Sequence, residues 1–346
     1  MKRQMLLLAV LLVVNIAASA KKKYQTYAVG FYNQENLFDT CHDAGKNDYE
    51  YLPSKGWNGV KYTNKLKNMS RALADMGTDM LPGVGCSLIG LAEVENHRVL
   101  DDLTAQPALK ERGMKYVHIE GPDKRGIDCA LLYNPAYFTV KNVKLVPYVQ
   151  ELAKDSAFKT RGFLTVRGSL AGDDVAVIVC HWPSRFSGSF YRESGARQTK
   201  SVKDSLLRLN PQMKVLVMGD MNDDPTNVSM HEVLQAKATI QEVGEDDMYN
   251  PWYNILAKDG KGTLFYKGSW NLFDQIVLSP NLLNKDKKKD YSSLKFWKNQ
   301  VFRRDYLIQQ EGQYKGAPLR TQAGGRWLNG YSDHLPVVLY LVKKKK

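Results

Sequence analysis

Residues 214–225, KVLVMGDMNDDP, show most directly what kind of fold this chain adopts. The apolar run at its start is typical of a buried strand, a glycine ends the run, and a proline helps to close the turn that follows. Asp220 and Asn222 project from that turn, and Asp223 and Asp224 continue it as residues that we expect to be solvated. A carboxylate placed there can accept a proton from water, and an amide can hold that water or a phosphate oxygen. The segment therefore predicts a strand that presents polar chemistry at its C-terminal end.

Six other segments are short apolar runs that are rich in β-branched residues and bounded by turn formers, which predicts further strands. They cover residues 27–32, 88–92, 129–133, 175–180, 275–278 and 336–341. Residues 62–76 and 194–209 carry apolar side chains at three- and four-residue spacing, which predicts helices. Strands that alternate with helices indicate an α/β fold. In such folds, loops at the ends of strands can converge on one site.

Two acidic clusters follow the first two of these strands. In FYNQENLFD, Asn33 and Glu35 could orient phosphate or bind a hard cation, although asparagine is also common in turns at strand ends. In IGLAEVEN, Glu93 ends a very apolar strand, where a carboxylate is costly unless it is paired or bound to metal. Strand alternation places Glu93 and Glu95 on one face. We expect Glu93 to be a metal ligand and Glu95 to be peripheral.

The segment VIVCHWPSR delivers His181 from a strand into a turn that carries Ser184 and Arg185. A histidine in this place could be a satisfied core residue. The hydroxyl and guanidinium groups that follow it favour a loop that faces phosphate, because both groups are good partners for phosphate oxygens.

Two further motifs place polar residues just before strands. SWNLFDQIVLSP has Asp274 at the start of one strand, and GYSDHLPVVLYL has Asp333 and His334 before the last one. Each motif alone could be strand-edge capping. Because such residues recur at strand ends along the whole chain, a shared site is favoured, in which an adjacent aspartate and histidine suit metal or phosphate contact.

The order and spacing of these residues resemble those of the endonuclease/exonuclease/phosphatase family, which includes pancreatic-type deoxyribonuclease, apurinic endonucleases, bacterial sphingomyelinases and inositol-phosphate phosphatases. The resemblance extends over residues 27–341, and GDMND and SDH are its most specific parts. The matching residues are Asn33, Glu35, Glu93, His181, Asp220, Asn222, Asp274, Asp333 and His334. The resemblance implies a four-layer α/β sandwich, in which two mixed β-sheets pack face to face with helices outside.

The resemblance also implies a divalent ion, Mg²⁺ or Mn²⁺, bound chiefly by Glu93 with Glu35 and Asp333 close by. Glu35 stands where some family members have aspartate, and its longer arm could withdraw it from direct contact with the ion. His181 would lie near the phosphate or the leaving group. Asp128 could support His181, or it could be only a polar residue at the start of a strand.

The same resemblance assigns the proton chemistry. Asp220 would deprotonate the attacking water, which Asn222 would position. Asn33 and His334 would hold the phosphate and stabilise its charge in the transition state. Asp274 would orient His334 and fix its tautomer. These roles together describe a metal-dependent phosphoesterase.

We expect the substrate to be nucleic acid and the activity to be that of an endonuclease. Arg125, Arg161, Ser184 and Arg185 flank the motifs and could contact phosphates, while aromatic side chains near the loops could stack on bases. A sphingomyelinase-like phospholipase is an alternative, for which residues 186–191 offer a short aromatic stretch. A sugar-phosphate or inositol-phosphate phosphatase is another. An inactive binding module on the same fold is the non-enzyme alternative, and no stable protein partner is inferred.

The N-terminus has the order of a secretory signal peptide, with basic residues 2 and 3, an apolar run over 5–16 and the sequence ASA at 18–20. We expect cleavage after Ala20, a secreted or periplasmic location and one domain over residues 21–346, with a retained membrane anchor as the alternative. The formal charge of +13 becomes +11 when the two basic residues are removed, and seven of these charges lie in lysines 21–23 and 343–346. We expect those lysines to be solvated, so charge alone is a weak argument for a polyanionic partner.

The four cysteines are too few and too scattered for a disulfide scaffold or a CxxC metal site. Cys129 and Cys180 lie in strand-like runs, where a free thiol acts as a small hydrophobe. Cys41 and Cys86 could form a disulfide in an oxidising compartment.

Overall fold

The computed structural model describes residues 23–152, 155, 157–286 and 289–345. The predicted signal peptide, residues 1–20, lies outside the described residues, so its cleavage and the export of the chain stay predictions. Among the described helices, none combines the length and the apolar character that a bilayer crossing requires.

Strands account for most of the regular structure in the described part of the chain. Numbered along the sequence, they are β1 (Tyr24–Leu37), β2 (Cys86–Val94), β3 (Lys115–His118), β4 (Asp128–Tyr133), β5 (Phe138–Val146), β6 (Phe163–Leu170), β7 (Asp173–His181), β8 (Lys214–Asp220), β9 (Ala236–Lys237), β10 (Met248–Tyr249), β11 (Leu264–Tyr266), β12 (Ser269–Asn271), β13 (Asp274–Leu278), β14 (Lys295–Val301), β15 (Gln322–Ala323), β16 (Arg326–Trp327) and β17 (Val337–Lys344).

Within the same described residues, the α-helices are α1 (Gly59–Asp75), α2 (His97–Ala105), α3 (Pro107–Glu111), α4 (Ser189–Leu209) and α5 (Tyr253–Ala257). Short 3₁₀ turns cover Tyr49–Tyr51, Pro53–Lys55, Arg185–Ser187, Pro280–Leu282 and Asp305–Leu307, and a single π turn covers Ser229–Val233. The first two α-helices begin after asparagine caps, since the side chains of Asn58 and Asn96 accept hydrogen bonds from the backbone N–H groups of Lys61 and Val99.

Two large mixed sheets carry the fold. The first has six strands in the order β14-β17-β1-β2-β4-β3, and the second has seven in the order β5-β6-β7-β8-β13-β10-β9. Each contains one central parallel pair, β1 with β2 and β7 with β8, while most of the other large pairs are antiparallel. The parallel pairs matter for function, because their C-terminal ends meet at one end of each sheet.

The two sheets pack face to face over a shared apolar core. Phe31 and Leu131 from the first sheet and Val177 and Met218 from the second all belong to it and are fully buried. Gly90 of β2 shows how close the sheets come, because a Cβ atom there would lie 2.5 Å from the sulfur of Met218. A larger side chain at this position would push the sheets apart.

Helices cover the outer faces. Leu66 and Leu73 of α1 and Leu100 of α2 pack on the outside of the first sheet. Ala196 and Leu206 of α4 pack on the outside of the second sheet. The molecule is therefore the four-layer α/β sandwich that the family resemblance implied, and all seven predicted strands and both predicted helices are present.

The structure also tests the expectations for the C-terminal lysines and for the cysteines. Lys343 is not a solvated tail residue, because it lies in β17 with its ammonium group 2.6 Å from the carboxylate of Asp173. Cys41 is exposed and Cys86 is buried, and both are free thiols in this structure. Cys129 and Cys180 are buried, as expected.

Candidate active site

Strand registers bring polar residues from distant segments to one end of the sandwich. In the second sheet, Asp220 at the end of β8 pairs with His181 of β7 on one side and with Asp274 of β13 on the other. In the first sheet, parallel β1 and β2 carry Asn33 and Glu93 to a common end. The chain enters β17 from that same end, because β17 runs antiparallel to β1.

Asp220 lies at the centre of this group and is almost fully buried. Its Oδ2 accepts a 3.0 Å hydrogen bond from the side-chain amide of Asn33, and its Oδ1 accepts a 2.9 Å bond from the backbone N–H of Asn222. Burial raises the pKa of Asp220 to about 6, although the neighbouring His334 opposes this shift. The carboxylate is therefore ionised at neutral pH and is still basic enough to take a proton.

His334 is held by a buried carboxylate. Its Nδ1 lies 2.7 Å from Oδ2 of Asp274, which is fully buried. Burial alone would lower the pKa of His334, but the carboxylates of Asp274 and Asp220 outweigh burial and raise the pKa well above its usual value. The direction of this shift favours the charged imidazolium form of His334, whose Nε2 lies 3.8 Å from Oδ2 of Asp220.

His181 has the opposite character. Burial, followed by the positive charges of Arg161 and Arg125, lowers the pKa of His181 well below its usual value, so this ring is neutral. Its Nε2 lies 3.7 Å from Asp220 Oδ2 and 3.8 Å from Glu93 Oε1.

Both histidines stand slightly too far from Asp220 for a direct hydrogen bond. Their Nε2 atoms are 3.7 and 3.8 Å from the same carboxylate oxygen, Oδ2. Such distances suit an intervening oxygen of water or phosphate. The centre of the site can therefore hold a small oxygen ligand among one base, one charged donor and one neutral imidazole.

Left-handed backbone turns aim several of these side chains. Glu35, Asn36, Glu93 and Asn222 have φ values of 46°, 55°, 61° and 51°. Such conformations are uncommon for residues other than glycine and concentrate at functional sites. The left-handed conformation of Glu93 also breaks strand alternation at this point. Alternation therefore does not determine the directions of Glu93 and Glu95, whose carboxylates accept from the backbone N–H groups of Asn36 and Asp39.

Glu95 is peripheral, as expected, but buried. Its carboxylate accepts a 2.8 Å bond from the backbone N–H of Asp39, and burial raises its pKa to about 8. Glu93 instead stays at the site, where Oε2 accepts a 2.9 Å bond from the backbone N–H of Asn36.

Two cations that the sequence did not single out lie among the predicted metal ligands. Arg320 donates from Nε to Glu35 Oε1 at 3.0 Å and from Nη2 to Asp333 Oδ2 at 2.9 Å. Lys65 is fully buried and donates to the hydroxyl of Thr321 and the carbonyl of Tyr331. Burial lowers the pKa of Lys65 to about 8, against the attraction of Glu35 and Asp333. Neither residue belongs to a motif that local sequence would mark as functional.

The donor set fits a hard divalent cation. Asp220, Asp274 and His334 can bring one ligand atom each within 4.8 Å of the others. Nδ1 of His334 and Oδ2 of Asp274, however, are already in contact with each other at 2.7 Å, so neither of these atoms is free to bind an ion. The carboxylates of Glu93 and Asp333 are better placed, because each keeps an oxygen, Oε1 and Oδ1, that makes no hydrogen bond within the described residues. Carboxylate oxygens are the ligands that Mg²⁺ and Mn²⁺ prefer.

The four predicted substrate-binding residues lie in different settings. Arg125 is exposed and donates to the side-chain oxygen of Asn36 at the edge of the site. Ser184 is half-buried. Arg161 is buried and donates to Asp123 and to the carbonyl of Trp182, so its guanidinium braces the loop after His181.

Arg185 ties two loops together rather than pointing into open space. Its guanidinium contacts Asp224 at 2.9 Å and the backbone carbonyl of Asn222 at 3.2 Å. The expectation that Asp223 and Asp224 are solvated was wrong. Asp223 is buried against Arg192 at 2.8 Å, and Asp224 accepts a 2.7 Å bond from the backbone N–H of Leu272.

Asp128 does not support His181. Its carboxylate accepts a 2.9 Å bond from the backbone N–H of Gly121 and lies 3.2 Å from Nε2 of His118. Asp128 therefore has the structural role, which was one of the two alternatives. The functional roles expected for the other site residues stay predictions.

Comparison with known proteins identifies the family. The pattern of one family, described as the endonuclease/exonuclease/phosphatase family, matches residues 28–343. The chain belongs to this family. A comparison with curated proteins found no match. Enzymes of the endonuclease/exonuclease/phosphatase family depend on divalent metal ions, and this chain is a phosphoesterase of that family with an acidic cluster at its site.

Solved structures of the family share the fold. A Bacteroides thetaiotaomicron family protein is 16% identical with a TM-score of 0.55, and the match covers 93% of this chain and 96% of that one. A mannosyl-6-phosphatase from the same organism is also 16% identical with a TM-score of 0.55, over 91% and 99%. D. rerio TDP2 in complex with a single-strand DNA product is 12% identical with a TM-score of 0.54, over 92% and 99%. At these identities the likeness concerns the fold alone.

Proposed function

We propose that this protein is an exported phosphodiesterase that uses Mg²⁺ or Mn²⁺ and cleaves nucleic acid as an endonuclease. The observation that carries the phosphodiesterase assignment is the central arrangement in which an ionised Asp220 faces a charged His334 across 3.8 Å. One group takes a proton and the other binds negative charge, and both functions accelerate the hydrolysis of a phosphate ester.

The residues divide the reaction between them. A water bound near Asp220 loses a proton to that carboxylate as its oxygen forms a bond to phosphorus. The bond from phosphorus to the leaving oxygen breaks, and its electron pair departs with that oxygen, which then takes a proton from solvent. Asn33 keeps Asp220 in place through their 3.0 Å hydrogen bond, and the Nε2–H of His334 holds a phosphate oxygen. Asp274 keeps His334 charged through their 2.7 Å contact.

Glu93 and Asp333 are the residues that would hold the metal ion. When bound, such an ion neutralises charge on the phosphate and raises its reactivity. Asn222 lies beside Asp220, because its backbone N–H donates to Oδ1 of that residue, and its side-chain amide donates a 2.9 Å bond to the carbonyl of Trp182.

Nucleic acid is favoured by the rim of the site. Lys124 and Arg125 are exposed next to each other, and Arg125 lies close enough to lower the pKa of His181. A pair of exposed cations at this edge suits the phosphates that flank a scissile bond. Among proteins of similar fold, one was solved with a single-strand DNA product and another is a mannosyl-6-phosphatase, so the fold accommodates both kinds of substrate.

A paired assay tests the substrate. Plasmid DNA, sphingomyelin liposomes and hexose 6-phosphates are offered to the protein with Mg²⁺ or Mn²⁺, each with and without EDTA. We expect metal-dependent cleavage of DNA. Turnover of liposomes or sugar phosphates with intact DNA would replace the nuclease assignment by one of those activities, and no metal-dependent turnover of any substrate would favour a binding module.

The salt dependence of DNA cleavage supplies a sharper check. We expect kcat/KM to fall steeply as salt rises, because phosphate contacts release counterions. Arg125→Gln should reduce the slope of log kcat/KM against log salt by about one. Lys115→Gln is the matched control, since Lys115 is exposed and pairs with Tyr133 at the end of β4 that lies away from the site. Equal slopes for both variants would contradict a phosphate contact by Arg125.

Phospholipid is the second candidate because of one residue. Phe186 is 99% exposed and follows directly after Ser184 and Arg185. A fully exposed aromatic ring could enter a membrane interface. The surrounding residues Ser184, Arg185 and Ser187 are polar, however, and the segment is a 3₁₀ turn rather than the aromatic-tipped hairpin expected of a phospholipase.

Export rests on the N-terminal sequence and has its own test. N-terminal sequencing of the protein recovered from a secreting host should begin at Lys21. An intact Met1 on protein in the membrane fraction would indicate the retained anchor instead.

A further inference from the structure

Arg320 occupies a position that the family resemblance does not explain. Its guanidinium bridges two predicted metal ligands, with 3.0 Å from Nε to Glu35 and 2.9 Å from Nη2 to Asp333. Its side chain is nevertheless 42% exposed. The Nε and Nη2 edge of the guanidinium group is thus held by carboxylates, and its Nη1 remains able to bind a ligand.

Glu35 is committed to this arrangement. Its Oε1 accepts from Arg320, and its Oε2 accepts a 2.6 Å bond from the backbone N–H of Thr321. Both carboxylate oxygens therefore already have donors. Glu35 serves as the anchor of an arginine here, and Glu93 and Asp333 remain as the open carboxylates.

The loop that carries Arg320 is itself held in place. Thr321 binds Glu35 through its backbone and the ammonium group of Lys65 through its hydroxyl, and the backbone N–H of Leu328 donates to its carbonyl. Lys65 is fully buried, so this support does not depend on solvent. The guanidinium is positioned before any ligand arrives, which lowers the entropic cost of binding.

The open edge of Arg320 faces a polar cavity. The cavity has a volume of about 240 Å³ and is lined by Glu35, Asn36, Tyr51, Trp57, Arg320 and the loop 321–325. Within the described residues, Nη1 of Arg320 makes no hydrogen bond. A phosphate oxygen, which arginine binds through two parallel N–H groups, is the chemistry that suits this edge.

We propose that Arg320 is a substrate-binding catalytic residue that supplies the second positive charge at this site, so that only one divalent ion is bound. The ion is held by Glu93 and Asp333, and the guanidinium binds an oxygen of the phosphate under attack. This proposal rests on the phosphoesterase function proposed above. It adds that the site binds one divalent ion and that the guanidinium group of Arg320 takes the place of a second ion.

The contacts around Arg320 are consistent with a single ion. The guanidinium already occupies one oxygen of Glu35 and one of Asp333, and the second oxygen of Glu35 accepts from the backbone N–H of Thr321. A second divalent ion would have to displace the guanidinium from Glu35 and Asp333.

Calorimetry with Mn²⁺ alone tests the stoichiometry. The wild-type protein should bind one ion. Arg320→Ala frees Glu35 and Asp333, so it should bind a second, weaker ion. Two ions bound to the wild-type protein would overturn the proposal.

Binding of inorganic phosphate to the Mn²⁺-loaded protein tests the contact without requiring turnover. Arg320→Ala should weaken phosphate binding by about tenfold, as expected for the loss of a charge-assisted hydrogen bond. Arg326→Ala is the matched control, because Arg326 is exposed on the same loop and lines no part of the cavity. Unchanged phosphate affinity in Arg320→Ala would overturn the proposal even if the wild-type enzyme proved inactive on every substrate.

Chemical rescue separates a ligand contact from a structural role. Arg320→Ala should lose about 100-fold in kcat, and added guanidinium at concentrations far below denaturing ones should restore at least about tenfold. Urea, which is neutral and of similar shape, should not. Arg320→Lys keeps the positive charge if the alanine variant fails to fold, and it should bind phosphate with intermediate affinity. Equal recovery with urea and guanidinium would contradict the role of charge.

Discussion

Asp274 and His334, on the closed side of the site, differ from Glu35 and Asp333, on its open side, in how their positions are determined. Sheet register places Asp274 beside Asp220, and the 2.7 Å contact with His334 is buried. The open side depends instead on left-handed turns and on a guanidinium from a distant loop. The positions of Asp220 and Asp274 are therefore determined by strands of the core. The positions of the residues proposed to bind metal and phosphate depend on turns and loops, which can differ among members of the family.

The largest expected effect is on the open side. Glu93→Gln should abolish turnover and weaken Mn²⁺ binding, because a neutral amide is a poorer ligand for a hard cation. Glu95→Gln is the matched control, since Glu95 is two residues away and engaged with Asp39. Calorimetry measures both variants. Unchanged metal affinity in Glu93→Gln would remove this carboxylate from the metal site.

The next largest effect is at the centre. Asp220→Asn keeps the shape of the side chain and removes its basicity, so we expect a loss of at least about 100-fold in kcat with little change in KM. Asp259→Asn, an exposed residue, serves as the control. Near-normal kcat for Asp220→Asn between pH 6 and 9 would show that another group activates the water.

A smaller effect should follow from the support of His334. Asp274→Asn should lower kcat by about 10- to 100-fold, because His334 loses the carboxylate that keeps it charged and oriented. NMR titration should show the pKa of His334 falling in this variant. A lowered kcat with an unchanged His334 pKa would mean that Asp274 acts only through packing.

The smallest effect concerns pH. Because burial raises the pKa of Asp220 to about 6, its basic form is lost as the pH falls through that value. We expect kcat to decline about tenfold per pH unit below 6 and to be flat just above it. His334, whose pKa is raised, stays charged through neutral pH and adds no acid limb. The residual activity of Asp220→Asn should not decline in this way below pH 6. If its kcat still falls over the same pH range, a group other than Asp220 causes the decline.

Local patterns predicted the α/β class and marked the polar residues at the strand ends, whereas the four-layer sandwich and the pairing of Asp274 with His334 came from the family resemblance. GDMND and SDH lie where apolar strands meet polar turns, and strand registers then bring Asp220 and Asp274 together. The strands β5 and β14 were not predicted, since each alternates apolar residues with exposed or half-exposed lysines and asparagines and lacks a continuous apolar run. Edge position in the sheets explains that composition.

The open side could not be read in the same way. Arg320 reaches Glu35 across 285 positions of sequence, and nothing near it marks the contact. Asp223 and Asp224 look like solvated turn residues until Arg192 and Arg185 are brought to them by folding. Partners supplied by tertiary structure decided the state of these charges, whereas composition gave no sign of them.

The left-handed turns at Glu35 and Glu93 also bear on how this enzyme can change. Asparagine tolerates such a conformation, but a glutamate held there costs on the order of 1–3 kcal/mol. A protein stable by about 5–15 kcal/mol therefore gives up a sizeable part of its reserve to aim two carboxylates. Replacing either glutamate by asparagine or glycine should therefore raise the free energy of unfolding while removing a carboxylate from the site, so that stability and activity change in opposite directions.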